Sequence, residues 1–100
     1  MRRDAAMARK PTPDRVDVLA HRLGTAIRRR RKELALTQQQ LADFAGCGLA
    51  FLYDLERGKR SVRLDKVLAV LDVLGLELRV DEGRGGIEIV PVHLRVPGEQ

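Results

Sequence analysis

The side chains best placed to do chemistry in this chain are cations, and they are bunched. Arg28, Arg29, Arg30, Arg31 and Lys32 form one run, and Arg57, Lys59, Arg60 and Arg63 form a second cluster. Guanidinium and ammonium groups gathered on a small domain hold polyanions, nucleic acid above all. The charge is also lopsided. Residues 1–36 carry eleven Lys/Arg against four Asp/Glu, a net of +7, and residues 37–100 carry eight against ten, a net of −2. On charge alone a solvated, charged surface is the competing explanation.

Other chemistries find no residues to run on. There is no glycine-rich phosphate loop, no nucleophile elbow and no metal motif, and His21 and His93 have no companion at ligand spacing. The sequence predicts no enzyme, no cofactor and no metal. A single cysteine, Cys47, excludes an internal disulfide and a cysteine-based zinc site. No run of about 18 apolar residues exists to span a membrane. The basic N-terminus lacks the apolar stretch of a secretory signal. These features predict a soluble, cytoplasmic protein associated with the nucleoid. One hundred residues make one small domain with a modest core, which dimerisation would help.

The cations are positioned by the stretch Thr37 to Gly58. Leu41, Ala42 and Ala45 share one helical face, and Leu52 and Leu55 share a face of the next helix. Gly46 lets the chain take positive φ between them. Thr37 and Gln40 have capping-box spacing, and Gly58 is placed to stop the second helix. Two short helices, a glycine turn and a shared apolar seam make a helix-turn-helix. Beside such a unit, the basic half of the chain reads as a nucleic-acid surface.

At these residues the chain resembles a known family. Thr37-Gln38, Leu41-Ala42, Ala45-Gly46 and Leu55-Glu56-Arg57-Gly58-Lys59 are similar to the Xre-like, phage-repressor-type helix-turn-helix. The wider match from Leu23 to Val80, with Val62 to Lys66 and Leu74-Gly75-Leu76, resembles its HipB-like antitoxin branch. The fold implied is mainly α: a lambda-repressor-like bundle of four to five helices with a short C-terminal β arm. The expected divisions are a basic arm at 1–13, the helix-turn-helix domain at 14–75, a β-strand dimerisation arm at 76–92 and a loose tail at 93–100.

The first helix starts between Asp14 and His21 and ends near Ala35, with Val16, Leu19, Leu23, Ile27 and Leu34 on or near one face. Arg31 falls on that face too, and a buried arginine needs a partner. Glu56 is the candidate, and the resemblance implies the same pair, clamping the first helix to the third; the alternative is two exposed charges that never meet. Arg28, Arg29, Arg30 and Lys32 form a basic collar, for phosphates or for solubility. The arm at 1–13 either touches phosphates or a minor groove, or has no role.

Gln38 opens the second helix, whose N-terminus suits a phosphate; the resemblance implies that this glutamine holds the DNA backbone, with ordinary polar surface as the alternative. Cys47, in the turn, behaves as a small hydrophobe if packed inward. The third helix, from about Gly48 or Leu49 to Arg57, is the expected recognition helix. Leu52 and Leu55 face inward and Phe51 packs at the edge, leaving Leu49, Ala50, Tyr53, Asp54 and Arg57 for the groove. Leu49 and Ala50 depart from the polar readers of the best-known repressors. They can touch thymine methyls and read little else. Asp54 can accept from a cytosine amino group but repels phosphate, and Tyr53 can bond a phosphate or pack on a thymine. Specificity then rests partly on DNA shape, or the apolar surface is a protein contact. Arg57, Lys59, Arg60 and Arg63 cluster where phosphates would run and position without reading.

The fourth helix runs from about Leu64 to Leu74, with Leu64, Val67, Leu68, Leu71 and Leu74 as its core stripe and Gly75 as its stop. Leu76, Leu78 and Val80 then alternate with polar residues as a strand, residues 82–86 turn, and Ile87 to Pro91 form a second strand whose partner the sequence leaves open. The resemblance implies that the first strand pairs with its copy across a homodimer through Leu76, Leu78 and Val80. The expected protein is a dimeric, sequence-specific repressor of its own promoter on double-stranded DNA. The antitoxin branch adds a HipA-type serine/threonine kinase as partner. A stand-alone repressor and a protein-interaction adaptor with a degenerate helix-turn-helix are the alternatives.

Overall fold

The computed structural model describes residues 13–80 and 87–91. Four helices lead into a two-stranded sheet: α1 (Pro13–Glu33), α2 (Gln38–Ala45), α3 (Leu49–Glu56), α4 (Leu64–Leu74), β1 (Leu76–Val80) and β2 (Ile87–Pro91). The mainly α, repressor-like bundle with a short β element is what the sequence predicts. The arm at residues 1–12, the turn at 82–86 and the tail at 93–100 lie outside the described residues.

Local chemistry sets the element ends. Thr37 Oγ1 accepts from the Gln40 N–H at 3.0 Å while Gln40 Oε1 accepts from the Thr37 N–H at 2.9 Å, so the capping box at the start of α2 is complete. Gly46 ends α2 at φ +70°, where an L side chain is strained. Gly58 and Gly75, the other two expected stops, also have positive φ. α1 stops on a less comfortable residue. Ala35 sits at φ +59°, and the N–H groups of Ala35 and Leu36 reach back to the carbonyls of Lys32 and Arg31 at 3.0 Å. This is a Schellman-type stop with alanine in the glycine position. It leaves Leu34 beyond the helix and exposed, whereas the face reading placed it with the core; Leu36 packs there instead.

The core is built from Ile27 of α1, Leu41 and Ala42 of α2, Leu52 and Leu55 of α3, Val67, Val70, Leu71 and Leu74 of α4, and Leu76 of β1. α1 packs on α3 and α2 on α4. Each fully buried aliphatic side chain contributes about 1.5–3 kcal/mol. The expected stripe of α4 is rotated: Leu64 and Leu68 are exposed, and Val70 takes the buried row beside Val67, Leu71 and Leu74. Gly24 lets α1 lie directly on the end of α3. A Cβ there would stand 2.5 Å from the Leu55 carbonyl oxygen and 2.7 Å from that of Glu56.

β1 and β2 form an antiparallel pair within one chain, with Leu76 opposite Pro91, Leu78 opposite Ile89 and Val80 opposite Ile87. The second strand, left without an assigned partner by the sequence, thus folds back on the first. Leu78 and Ile89 pack against the helical core and Leu76 is part of it. The segment expected as an arm is therefore joined to its own protomer through two of the three side chains assigned to dimerisation. Val80 is 79% exposed.

Candidate nucleic-acid interface

The site is organised by one ion pair. Arg31 in the last turn of α1 donates Nε to Glu56 Oε2 at 2.7 Å and Nη2 to Oε1 at 3.0 Å. Its remaining Nη1 donates to the Leu36 carbonyl at 2.9 Å. Arg31 is 8% exposed and Glu56 9%. The fork geometry matches a carboxylate with two parallel bonds, which is what a buried arginine requires. The pair expected from the sequence is present, and it ties the end of α1 to the end of α3.

Gln38 joins the same network. Its Nε2 donates to Glu56 Oε1 at 3.1 Å. The side chain expected at a phosphate is thus half-buried and oriented by the ion pair. A cleft of about 470 Å3 opens beside the network, walled by Arg28, Lys32, Gln38, Tyr53, Glu56 and Arg57. Helical phase explains the walls. Arg28 and Lys32 lie about 60° and 100° around α1 from Arg31 on one flank. Arg30 lies on the opposite flank and is used elsewhere: its Nε donates to the Leu74 carbonyl at 2.9 Å, satisfying the C-terminus of α4. In the basic collar, therefore, Arg28 and Lys32 face the cleft, Arg30 is structural and Arg29 lies at the outer face of α1. A spacing argument finds this division only once Arg31 is fixed as the buried member.

The outward side of α3 carries the expected recognition residues. Leu49, Ala50, Tyr53 and Arg57 are exposed and Asp54 is half-buried, while Leu52, Leu55 and Glu56 are buried. Arg57 stacks on the Tyr53 ring, its guanidinium carbon 5.1 Å from the centroid, within cation–π range. Asp54 Oδ2 lies 3.6 Å from Lys59 Nζ. Gly48 precedes the helix with no side-chain cap.

The loop cations are not free in the way their sequence suggests. Lys59 faces Asp54, Arg60 Nε lies 3.2 Å from Asp17 Oδ1, and Arg63 grips Asp65 at 2.7 Å. The first two pairs are about half exposed and the third more so, so each interaction is weak. Among the described residues, Arg28 and Lys32 meet no carboxylate within 4.0 Å, and they stand at the cleft. Residue type and clustering favour the loop, because the pairing acids at Asp17 and Asp65 are visible only in three dimensions or at short range.

Cys47 is half-buried and packs against the core, and burial pushes its thiol up. It fills the small apolar position expected of it. A hollow of about 490 Å3 along the outer face of α1 is lined by Asp17, Val18, His21, Arg22, Thr25 and Arg29, and its described walls all belong to that one helix. Among the described residues no group of three or more His, Cys, Asp or Glu is placed to hold a metal, and no helix is long and apolar enough to cross a membrane.

Known proteins match this arrangement. A sequence profile of the helix-turn-helix family matches residues 27–80, from the buried Ile27 to the end of β1. The chain is 45% identical over 58 residues to the uncharacterized HTH-type transcriptional regulator y4mF of Sinorhizobium fredii (strain NBRC 101917 / NGR234), an alignment covering 58% of this chain and 76% of that one. Transcription regulators of this type bind DNA and are generally without catalytic activity. With two short helices across a Gly46 turn, a buried Arg31–Glu56 clamp and a profile match over more than half its length, this chain belongs to the Xre-type helix-turn-helix family.

Proposed function

We propose that the chain is a sequence-specific repressor that binds an operator as a homodimer, α3 entering the major groove of each half-site, and silences its own promoter by covering it. Two such helices on a symmetric dimer read half-sites about 34 Å apart. The observation that carries this reading is the pairing of an exposed α3 face with a cleft rimmed by Arg28, Lys32 and Arg57. A helix face fits a groove, and the rim cations fit the phosphates beside it. Gln38 lines the same cleft, and Lys59 and Arg60, in the loop after α3, are assigned as further backbone contacts. In the dimer, β1 uses its edge away from β2, with Val80 as the exposed side chain; Leu76 and Leu78 support the strand from inside.

The residues Leu55 to Lys59, Val62 to Lys66 and Leu74 to Leu76 extend the proposal to an antitoxin that restrains a HipA-type serine/threonine kinase, the complex co-repressing the operon. Affinity capture of the tagged chain from its host, with stoichiometry by mass spectrometry, tests this extension. A HipA-type kinase in equal amount supports it, and duplex DNA with a second copy alone leaves the stand-alone repressor. The operator reading has its own test. Duplex affinity should fall steeply with salt, the logarithmic slope being about −0.9 per phosphate neutralised. A flat response assigns α3 to a protein partner and removes the repressor.

A further inference from the structure

We propose that α3 reads DNA through the methyl groups of thymine, touched by Leu49 and Ala50, and makes no bidentate purine contact; this rests on the reading of the chain as an operator-binding protein.

The argument begins with the arc that α3 presents. At about 100° per residue, Leu49, Tyr53, Arg57, Ala50 and Asp54 succeed one another over an arc of about 140° that faces away from Leu55, with Glu56 flanking its Leu49 edge. The first turn of a recognition helix goes deepest into the groove, and here that turn offers Leu49, 43% exposed, and an exposed Ala50. Adenine is read in bidentate fashion by asparagine or glutamine. The chain contains no asparagine, and its glutamines are Gln38, Gln39, Gln40 and Gln100, none of them on α3. Guanine is read by arginine or lysine. The one cation on this face, Arg57, follows the helix, stacks on Tyr53 and lines the cleft beside Arg28 and Lys32, where a phosphate is the fitting ligand. Asp54, the cytosine reader by type, faces Lys59.

One major-groove feature remains that an aliphatic side chain recognises, the thymine C5-methyl group. The occupant is a duplex rather than a protein because of what surrounds the apolar tip. Arg28, Lys32 and Arg57 line the cleft beside Tyr53, and Lys59 pairs with Asp54 at the other end of the arc, so cations flank the apolar first turn, which matches methyl groups lying between two phosphate ridges. Sequence selection would then come from thymine placement in each half-site together with groove shape.

The test uses the full chain. Duplexes are enriched from a random-sequence library, and the best binder is remade with each thymine replaced singly by deoxyuridine, which removes only the methyl. The expected result is thymine at one or two positions of each half-site, with Kd rising about fourfold for each contacted methyl lost. Substituting 5-methylcytosine for cytosine at those positions, in duplexes carrying C·G there, should recover a similar factor. Leu49→Ala, outside the core and checked for unchanged helical signal, should lose the thymine-to-uracil difference at its own position and keep the salt slope of the parent. A duplex that binds with a steep salt slope but is indifferent to every uracil overturns the inference and leaves the repressor standing. Failure of any duplex to enrich, with affinity flat in salt, overturns both.

Discussion

Arg31–Glu56 and Arg63–Asp65 are both closed at 2.7 Å, yet they do different work. The first is enclosed between α1 and α3 with 10% and 3% of its side chains exposed, and the second stands in solvent at 69% and 64%. Distance does not separate them; surroundings do. In water an exposed pair gains about 0–1 kcal/mol, because high dielectric and side-chain entropy cancel most of the attraction. Inside the fold, neither charge can be left alone, so the pair enforces the mutual placement of two helices even if its net contribution to stability is small. The molecule thus uses one chemistry twice, as a fixed joint beneath α3 and as loose neutralisation in the loop that follows it.

The largest expected effect comes from breaking the joint. Glu56→Ala leaves Arg31 buried with only the Leu36 carbonyl and leaves Gln38 Nε2 without its acceptor. It should destabilise by about 3–5 kcal/mol, read by chemical denaturation. Replacing both partners with apolar residues of similar size should return most of that loss. A single-variant loss within about 0.5 kcal/mol, the range of an ordinary surface substitution, would place the joint in the same class as the rim.

The next effect tests how the joint is held. Gly24→Ala normally favours a helix by up to about 1 kcal/mol. Here the added methyl meets the backbone oxygens of Leu55 and Glu56 at 2.5 and 2.7 Å, and backbone cannot swing aside. α1 must lift from α3 at the turn that presents Glu56. The expected outcome is a net loss of about 1–3 kcal/mol, with the sign opposite to the helix-propensity rule. A stabilised variant would show that the two helices slide apart at no cost and that the ion pair does not depend on their contact.

Arg60→Ala probes the rim. Arg60 and Asp17 link the loop after α3 to α1, far apart in sequence, but both are half exposed. The stability change should stay within about 0.5 kcal/mol at moderate salt, while duplex affinity falls and its salt slope decreases by about one. A stability loss of the size expected for Glu56→Ala would move this pair from rim to frame.

How far these distinctions were legible in the sequence depends on what each one needs. Thr37 and Gln40 announce a helix start because a capping box is local, and Arg31 announces a partner because a charge on an apolar face demands one, Glu56 being the candidate that the family resemblance supports. The face of α4 was not legible from period alone. Apolar residues occupy most of its surface, Leu64 and Leu68 fit a stripe as well as Val67 and Val70 do, and the packing of α2, β1 and α1 against the helix chooses between them. The close contact at Gly24 gave no signal, since a glycine inside a helix pattern says nothing about what passes over it. Arg30 was hidden within a basic run, and its role follows from the position of the Leu74 carbonyl. Local chemistry was readable throughout, but phase was readable only where polar residues bound the apolar stripe.

The smallest effect sharpens the comparison from the solvent side. Asp65 takes two bonds from Arg63, at 3.2 and 2.7 Å, and one from the Lys66 N–H at 2.9 Å. The Arg63 guanidinium holds its carboxyl below the usual aspartate range. A carboxyl lowered in the folded state adds stability that is present above its unfolded value, about 3.9, and that disappears as the pH falls through the folded value. Melting temperature followed from about pH 5 downward should therefore drop slightly more steeply in the parent than in Asp65→Asn, the two curves converging in strong acid. Added salt should shrink the gap, because full exposure lets ions screen the pair. Parallel curves at low salt would mean that Asp65 gains nothing from Arg63. Arg63 would then be a cation as free as Arg28 and Lys32, and the cationic rim would extend past the cleft to the start of α4.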